Sequence, residues 1–193
     1  PYMVRNYLHF NQIFIVKSFG YNLWKGNNEL SVVQGYENYG NEKFKKLDQK
    51  LNNIEKNKYY EINRDNIFLN EAKNNLKFDS MRYISLFFKK FFSFYFIDLN
   101  STYPNYYNII NIIPIIIISV LSFPGLFLFI RKKNIQNNYL ILYLLLNLAI
   151  FSIFFILPRY KLIILPIQIM MATYVIAYFL KKISTSKKNF NTN

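Results

Sequence analysis

Ten carboxylates, five arginines and one histidine are the side chains of this 193-residue sequence best suited to proton transfer, phosphate binding or metal ligation. The acids occur singly between Glu29 and Asp98, and none follows, so a carboxylate pair for glycosidic-bond chemistry has no obvious seat. His9 stands alone near aromatic residues, where a packing role is the ordinary one. There is no cysteine, hence neither a disulfide nor a thiolate metal site, and redox chemistry indicates no compartment. Glycine-rich phosphate loops, HExxH and GxSxG are absent, and no cofactor is evident. Two segments do combine recognition-competent residues: Gly20-Tyr-Asn22-Leu-Trp24-Lys-Gly26-Asn27-Asn28, and the short link Pro158-Arg159-Tyr160-Lys161.

In the first segment Gly20 and Gly26 permit positive φ, which glycine adopts without steric penalty. The amides of Asn22, Asn27 and Asn28 suit either backbone groups or the hydroxyls of a sugar. Trp24 suits stacking on an apolar sugar face or packing the loop against its surroundings, and packing is the commoner use of buried polar loops. Arg5-Asn6 reads as a fold-locking pair, with phosphate contact as the lesser alternative.

The elements that must position these residues follow from composition. The chain is 52% hydrophobic and 20% aromatic with a formal charge of +14, which excludes a disordered tail and is too apolar for an ordinary soluble domain. Ile109–Ile130 is 22 residues without a charge, about 33 Å as a helix, and residues 139–157 and 162–180 are apolar runs of about 28 Å. All three predict transmembrane helices, their internal prolines acting as tolerated kinks. The basic clusters Arg131-Lys132-Lys133 and Lys181-Lys182 place their side in the cytoplasm, and the Arg159 turn with residues 1–105 on the outer face. The expected organisation is an extracytoplasmic region at 1–105, three spans within 106–182 and a cytoplasmic basic tail at 183–193.

Within 1–105, residues 2–16 predict the exit of a helix followed by a strand-like segment, and residues 19–40 an ordered loop with several turns. Residues 42–57 predict a charged surface helix or insertion, and residues 64–76 show helical spacing. Met81–Ile97, dense in Phe and Tyr around Lys89-Lys90, predicts an interfacial helix with lysines reaching outward. A nucleic-acid footprint does not suit these aromatics, because they lie in or beside apolar runs. Lysine outnumbers arginine 19 to 5, and Asn and Ile make up about a quarter of the chain, so part of the basic excess reflects AT-rich codon usage.

The Pro1-Tyr-Met-Val-Arg5-Asn6 step, the Gly20–Asn28 element and the Pro158-Arg159-Tyr160 turn together resemble the C-terminal part of the GT-C integral-membrane glycosyltransferases. Within that class the resemblance is to the dolichyl-phosphate-mannose–protein mannosyltransferase-like family, which includes lipid A aminoarabinose transferase. Tyr2 stands where that family commonly has Trp, and Glu29 where it has Pro after Gly-Asn-Asn; Arg64-Asp65 and Glu71-Ala72 are similar to a weaker family pattern. The resemblance implies transfer of a sugar from a polyprenyl-phosphate carrier at the outer membrane face. It also implies a catalytic acid in the family's first outer loop, upstream of Pro1, so the chain alone is expected to be inactive and to need the preceding remainder of the polypeptide. A divalent metal in the full enzyme is compatible with it, an acid or His9 completing a site formed elsewhere.

On this reading Arg159 binds the carrier phosphate, Tyr160 orients it and Lys161 adds charge, since the guanidinium fork is always charged and matches phosphate oxygens two at a time. An interfacial anchor set would use the same three residues. Substrate contacts are assigned to Arg5, Asn22, Trp24, Asn27, Asn28, Arg159, Tyr160 and Lys161, with no catalytic or metal residue. A non-enzymatic polysaccharide exporter or transporter component is the alternative. Such proteins place ionisable groups at mid-membrane, whereas Asn147 is the only strongly polar amide deep in the second run.

Overall fold

A computed structural model describes residues 1–14, 17–132 and 134–190, with side chains described to Ser184. The described residues form helices, turns and connecting segments, with no strand among them. The elements are α1 (Tyr2–Phe10), α2 (Phe19–Gly26), a 3₁₀ turn at Glu42–Phe44, α3 (Lys45–Asn52), α4 (Tyr60–Phe78) and α5 (Ser80–Tyr95). There follow α6 (Ile109–Arg131), α7 (Ile135–Ile153), a 3₁₀ turn at Pro158–Ile163 and α8 (Leu165–Phe190). The chain divides into two compact units, Pro1–Lys89 with Ile153–Phe155, and Lys90–Ser152 with the residues from Ile156 on.

The first unit is built on the contact of α2 with α4. On α4, Ile62, Asp65, Phe68 and Ala72 are buried at intervals of three and four residues, so they share one face. Trp24 and Phe68 are fully buried and their rings lie 5.0 Å apart; Phe44, Leu47 and Leu51 complete the core. Side chains of this size contribute about 1.5–3 kcal/mol each on burial. The expected loop at 19–40 therefore begins as a helix. Gly20 and Gly26 do not supply positive φ, which among the glycines occurs only at Gly35. They supply close approach instead: a Cβ on Gly20 would lie 2.1 Å from the Asp65 carbonyl oxygen, and one on Gly26 1.8 Å from that of Phe154. Residues 2–10 are helical as far as Phe10, and the strand-like continuation at Ile15 and Val16 lies outside the described residues.

In the second unit α6 packs along α8. A Cβ on Gly125 would stand 2.5 Å from the Met171 carbonyl oxygen, and Ser119 and Ser122 are buried on the same helix. Small residues that let helix backbones approach are the usual device of helix pairs in lipid. The Phe129 and Tyr174 rings meet edge-on at 5.2 Å. Two helices are long and apolar enough to cross a membrane, α6 with mean hydropathy 2.5 and α7 with 1.3, and only 22% of each apolar window is buried within the chain. Pro114 and Pro124 lie inside α6 without ending it.

The remaining boundaries shift for local reasons. The second apolar run was expected at 139–157, yet α7 starts at Ile135 and stops at Ile153, and the chain leaves the helix over Phe154–Leu157. The third run is helical only from Leu165, because residues 158–163 form the 3₁₀ turn. Pro166 accordingly sits in the first turn of α8, where its missing N–H deprives no carbonyl of a partner, and not at an internal kink. The expected tail at 183–193 continues α8 as far as Phe190, while residues 191–193 and the third base of the Arg131 cluster, Lys133, lie outside the described residues. On α5, Met81, Ile84, Phe88 and Phe92 form an exposed apolar stripe at helical spacing. Lys89 reaches outward as expected; Lys90 does not, being fully buried, and burial pushes its ammonium down to about 7.

Candidate functional site

The Pro158–Ile163 turn separates its two cations. Pro158 opens the turn with φ already near the helical value, and Leu157 before it is extended, as a residue preceding proline prefers. Arg159 is exposed, its guanidinium 5.7 Å from the centre of the Tyr160 ring. That ring in turn packs against Phe151 at 4.9 Å, which fixes the aromatic platform under the cation. Lys161 points the other way. Its ammonium donates to the Tyr95 carbonyl at 2.9 Å and to the Phe96 carbonyl, closing the C-terminal end of α5.

Gln168 joins this cap, its Nε2 donating to the same Tyr95 carbonyl at 2.8 Å, while the Tyr95 hydroxyl pairs with Ser122 Oγ at 2.8 Å. The last carbonyls of a helix lack intrahelical partners and carry partial negative charge, so a lysine there answers both needs. Burial nevertheless pushes the Lys161 ammonium down to about 7.

In the Gly20–Asn28 element the polar atoms face the fold. Asn27 Nδ2 donates to the Leu23 carbonyl at 2.9 Å and to the Ile153 carbonyl at 2.7 Å. Asn28 Nδ2 donates to the Tyr36 carbonyl at 2.8 Å, and its Oδ1 accepts from the Leu30 amide at 2.9 Å. Both residues are buried, Asn28 completely. Trp24, also fully buried, packs its ring on Phe44 and Phe68 and leaves no face for a sugar. Asn22 is half-exposed, with its amide 3.5 Å from Ser18 Oγ. Asn6 donates to the Phe14 carbonyl at 2.7 Å, whereas Arg5 is exposed. The element thus presents Asn22 at its surface and uses Trp24, Asn27 and Asn28 to hold itself together.

No family model, curated protein or solved structure matches this chain. The fold also brings Arg64 and Asp65 together with residues that carried no signal in the sequence. A pocket of about 280 Å³ in the first unit is walled by Lys17, Ser18 and Tyr21 at the start of α2 and by Glu61, Arg64 and Asp65 on α4, over Phe68. The buried Asp65 accepts the Tyr21 backbone N–H at 2.9 Å, a carboxylate at a helix N-terminus, which is its favourable end for negative charge. The i, i+3 and i+4 spacing of Glu61, Arg64 and Asp65 was the available signal, but their partners lie 40 or more residues earlier in the chain. Among the described residues no three His, Asp or Glu side chains converge, so they form no donor set for a divalent metal.

Proposed function

We propose that the protein is a membrane glycosyltransferase of GT-C type that handles a polyprenyl-phosphate-linked sugar at the outer membrane surface. The observation that carries this reading is Arg159, an exposed guanidinium held over an aromatic ring in the turn after a candidate span, with Lys161 turned away to cap α5. A phosphate at the water–lipid boundary is the ligand for which such a fork is suited, because arginine keeps its charge and binds two oxygens at once. The short sequence elements described above support the family, and the apolar faces of α6 and α7 support a bilayer.

In this reading α8 is a third span, drawn against α6 through Gly125 and ending at Lys181-Lys182. The apolar stripe of α5 then lies in the headgroup region with residues 1–105 outside, and the basic ends of α6 and α8 face the cytoplasm. Because the chain has no cysteine, single cysteines at Ser101 and Lys132 report sidedness directly; labelling of both from the same side would refute this orientation.

The decisive experiment is binding of polyprenyl phosphate to the full chain in nanodiscs, against unphosphorylated polyprenol. Arg159→Ala is expected to weaken phosphate-dependent binding by about tenfold or more, and Arg159→Lys to restore it only in part. Equal binding of the two lipids, or an Arg159→Ala variant that binds as well as the parent, would overturn the assignment.

A further inference from the structure

We infer that the pocket between the start of α2 and the first turns of α4 is a binding site for a small hydroxylated anion, a single sugar bearing a phosphate or carboxylate group. This site lies within the first unit and does not depend on the Arg159 reading. Four charged side chains wall the pocket, Lys17, Glu61, Arg64 and Asp65, yet none is ion-paired with another, whereas Lys25–Glu37 and Lys50–Glu71 do pair in the same unit. Charges that served only to join α2 to α4 would be expected to pair across so small a space. Here the joining is done by the Asp65 carboxylate on the Tyr21 amide and by the glycine contact at Gly20.

The division of labour among the four sets the sign of the ligand. Asp65 is buried and its charge is balanced by the positive end of α2. Lys17 and Arg64 are half-buried beside the cavity, while Glu61 is exposed. With Asp65 committed to α2, Lys17 and Arg64 are the charges left to face an anion, and Glu61 stands at the exposed edge. Arg64 is held with its guanidinium 5.7 Å from the centre of the Phe68 ring, and a restrained planar fork suits a carboxylate or phosphate. The Ser18 hydroxyl and the Glu61 carboxylate supply a donor and acceptors for ring hydroxyls.

Tyr21, set edge-on to Phe68 at 5.1 Å, provides an aromatic side wall. At about 280 Å³ the space falls at the lower end for small-molecule sites, which suits one sugar ring and not an oligosaccharide inside it.

The test uses the full chain in nanodiscs and titration calorimetry with glucose 6-phosphate, glucuronate, glucose and inorganic phosphate. Both anionic sugars are expected to bind, with glucose and inorganic phosphate weaker by about tenfold or more. Arg64→Gln should weaken both anionic sugars by about tenfold or more. Glu61→Gln, at an exposed position that cannot disturb folding much, should tighten them by about two- to fivefold as the rim loses its negative charge.

Arg159→Ala should leave these affinities unchanged, so the two sites succeed or fail separately. Absence of binding by both anionic sugars would overturn the inference. So would inorganic phosphate binding as tightly as glucose 6-phosphate, or anionic-sugar affinity indifferent to both Arg64→Gln and Glu61→Gln.

Discussion

In the α2–α4 unit the backbone approach made by Gly26 is locked by neutral amides, Asn27 on two carbonyls and Asn28 on a third, while Gly20 meets α4 beside the Asp65 carboxylate. In the α6–α8 unit the approach made by Gly125 lies beside a polar cap formed by an ammonium, Lys161, and one amide, Gln168, on the end of α5. Both units use glycine for proximity and side-chain donors for orphan carbonyls. They differ in that one set of donors cannot titrate and the other can. The Asn27 and Asn28 lock is therefore indifferent to pH, whereas the cap in the second unit responds to it.

The sharpest way to break this comparison is to fill the glycine contacts. Gly26→Ala places a methyl 1.8 Å from the Phe154 carbonyl oxygen, and we expect a loss of about 3 kcal/mol or more, read as early melting of the first unit by limited proteolysis. Gly125→Ala, with 2.5 Å to Met171, should cost less, and equal losses would show that the crossing in the second unit is as rigid as that in the first. Next in size is Asn28→Ala, which leaves the Tyr36 carbonyl and the Leu30 amide without their side-chain partner and should cost about 2 kcal/mol at any pH.

The pH contrast comes third. Lys161 is charged in the unfolded chain up to its ordinary pKa, 10.5, but in the fold only up to about 7. The unfolded state therefore binds more protons between those values, so stability rises with pH from about 7 upward and is flat below. Lys90, shifted the same way, adds to the slope. Lys161→Met should reduce the rise in melting temperature between pH 6.5 and 9 without abolishing it; an unchanged slope would assign the pH response elsewhere. The smallest expected effect is that of Arg159→Ala on folding, within about 0.5 kcal/mol because the side chain is exposed, even though donor-lipid binding should fall.

How far the sequence could be read depended on what each residue was being used for. The 22-residue run at 109–130 predicted α6 to within one residue, because length and apolarity alone define such a helix. The second run misplaced its end by four residues. Phe154–Leu157 is as apolar as the helix before it, and composition does not distinguish a buried extended segment from a helical turn.

α2 was missed for a different reason. Glycine signals a turn when φ is at issue, but Gly20 and Gly26 answer to neighbours 45 and 128 positions away in the chain. The inward turn of Lys161 was equally hidden, since its partners are carbonyls of residues 95 and 96 and carry no side-chain signature. Arg159 was legible because an arginine between two apolar runs is conspicuous by type alone. The pocket at Lys17 and Arg64 was not, because each of its walls looks ordinary until α2 meets α4.

The membership of Ile153–Phe155 in the first unit has a consequence for biosynthesis. Phe154 meets Gly26 and Phe19, and Ile153 receives the Asn27 amide, so this unit is not complete when residue 89 leaves the ribosome. Its closing piece is synthesised only after α6 and nearly all of α7. At a translation rate of about 5–20 residues per second, the interval is several seconds, during which the Gly26 surface and the Asn27 amide wait uncovered. A secreted version truncated after residue 89 would carry that gap permanently. A short tethered copy of residues 153–155 is the smallest addition that would close it.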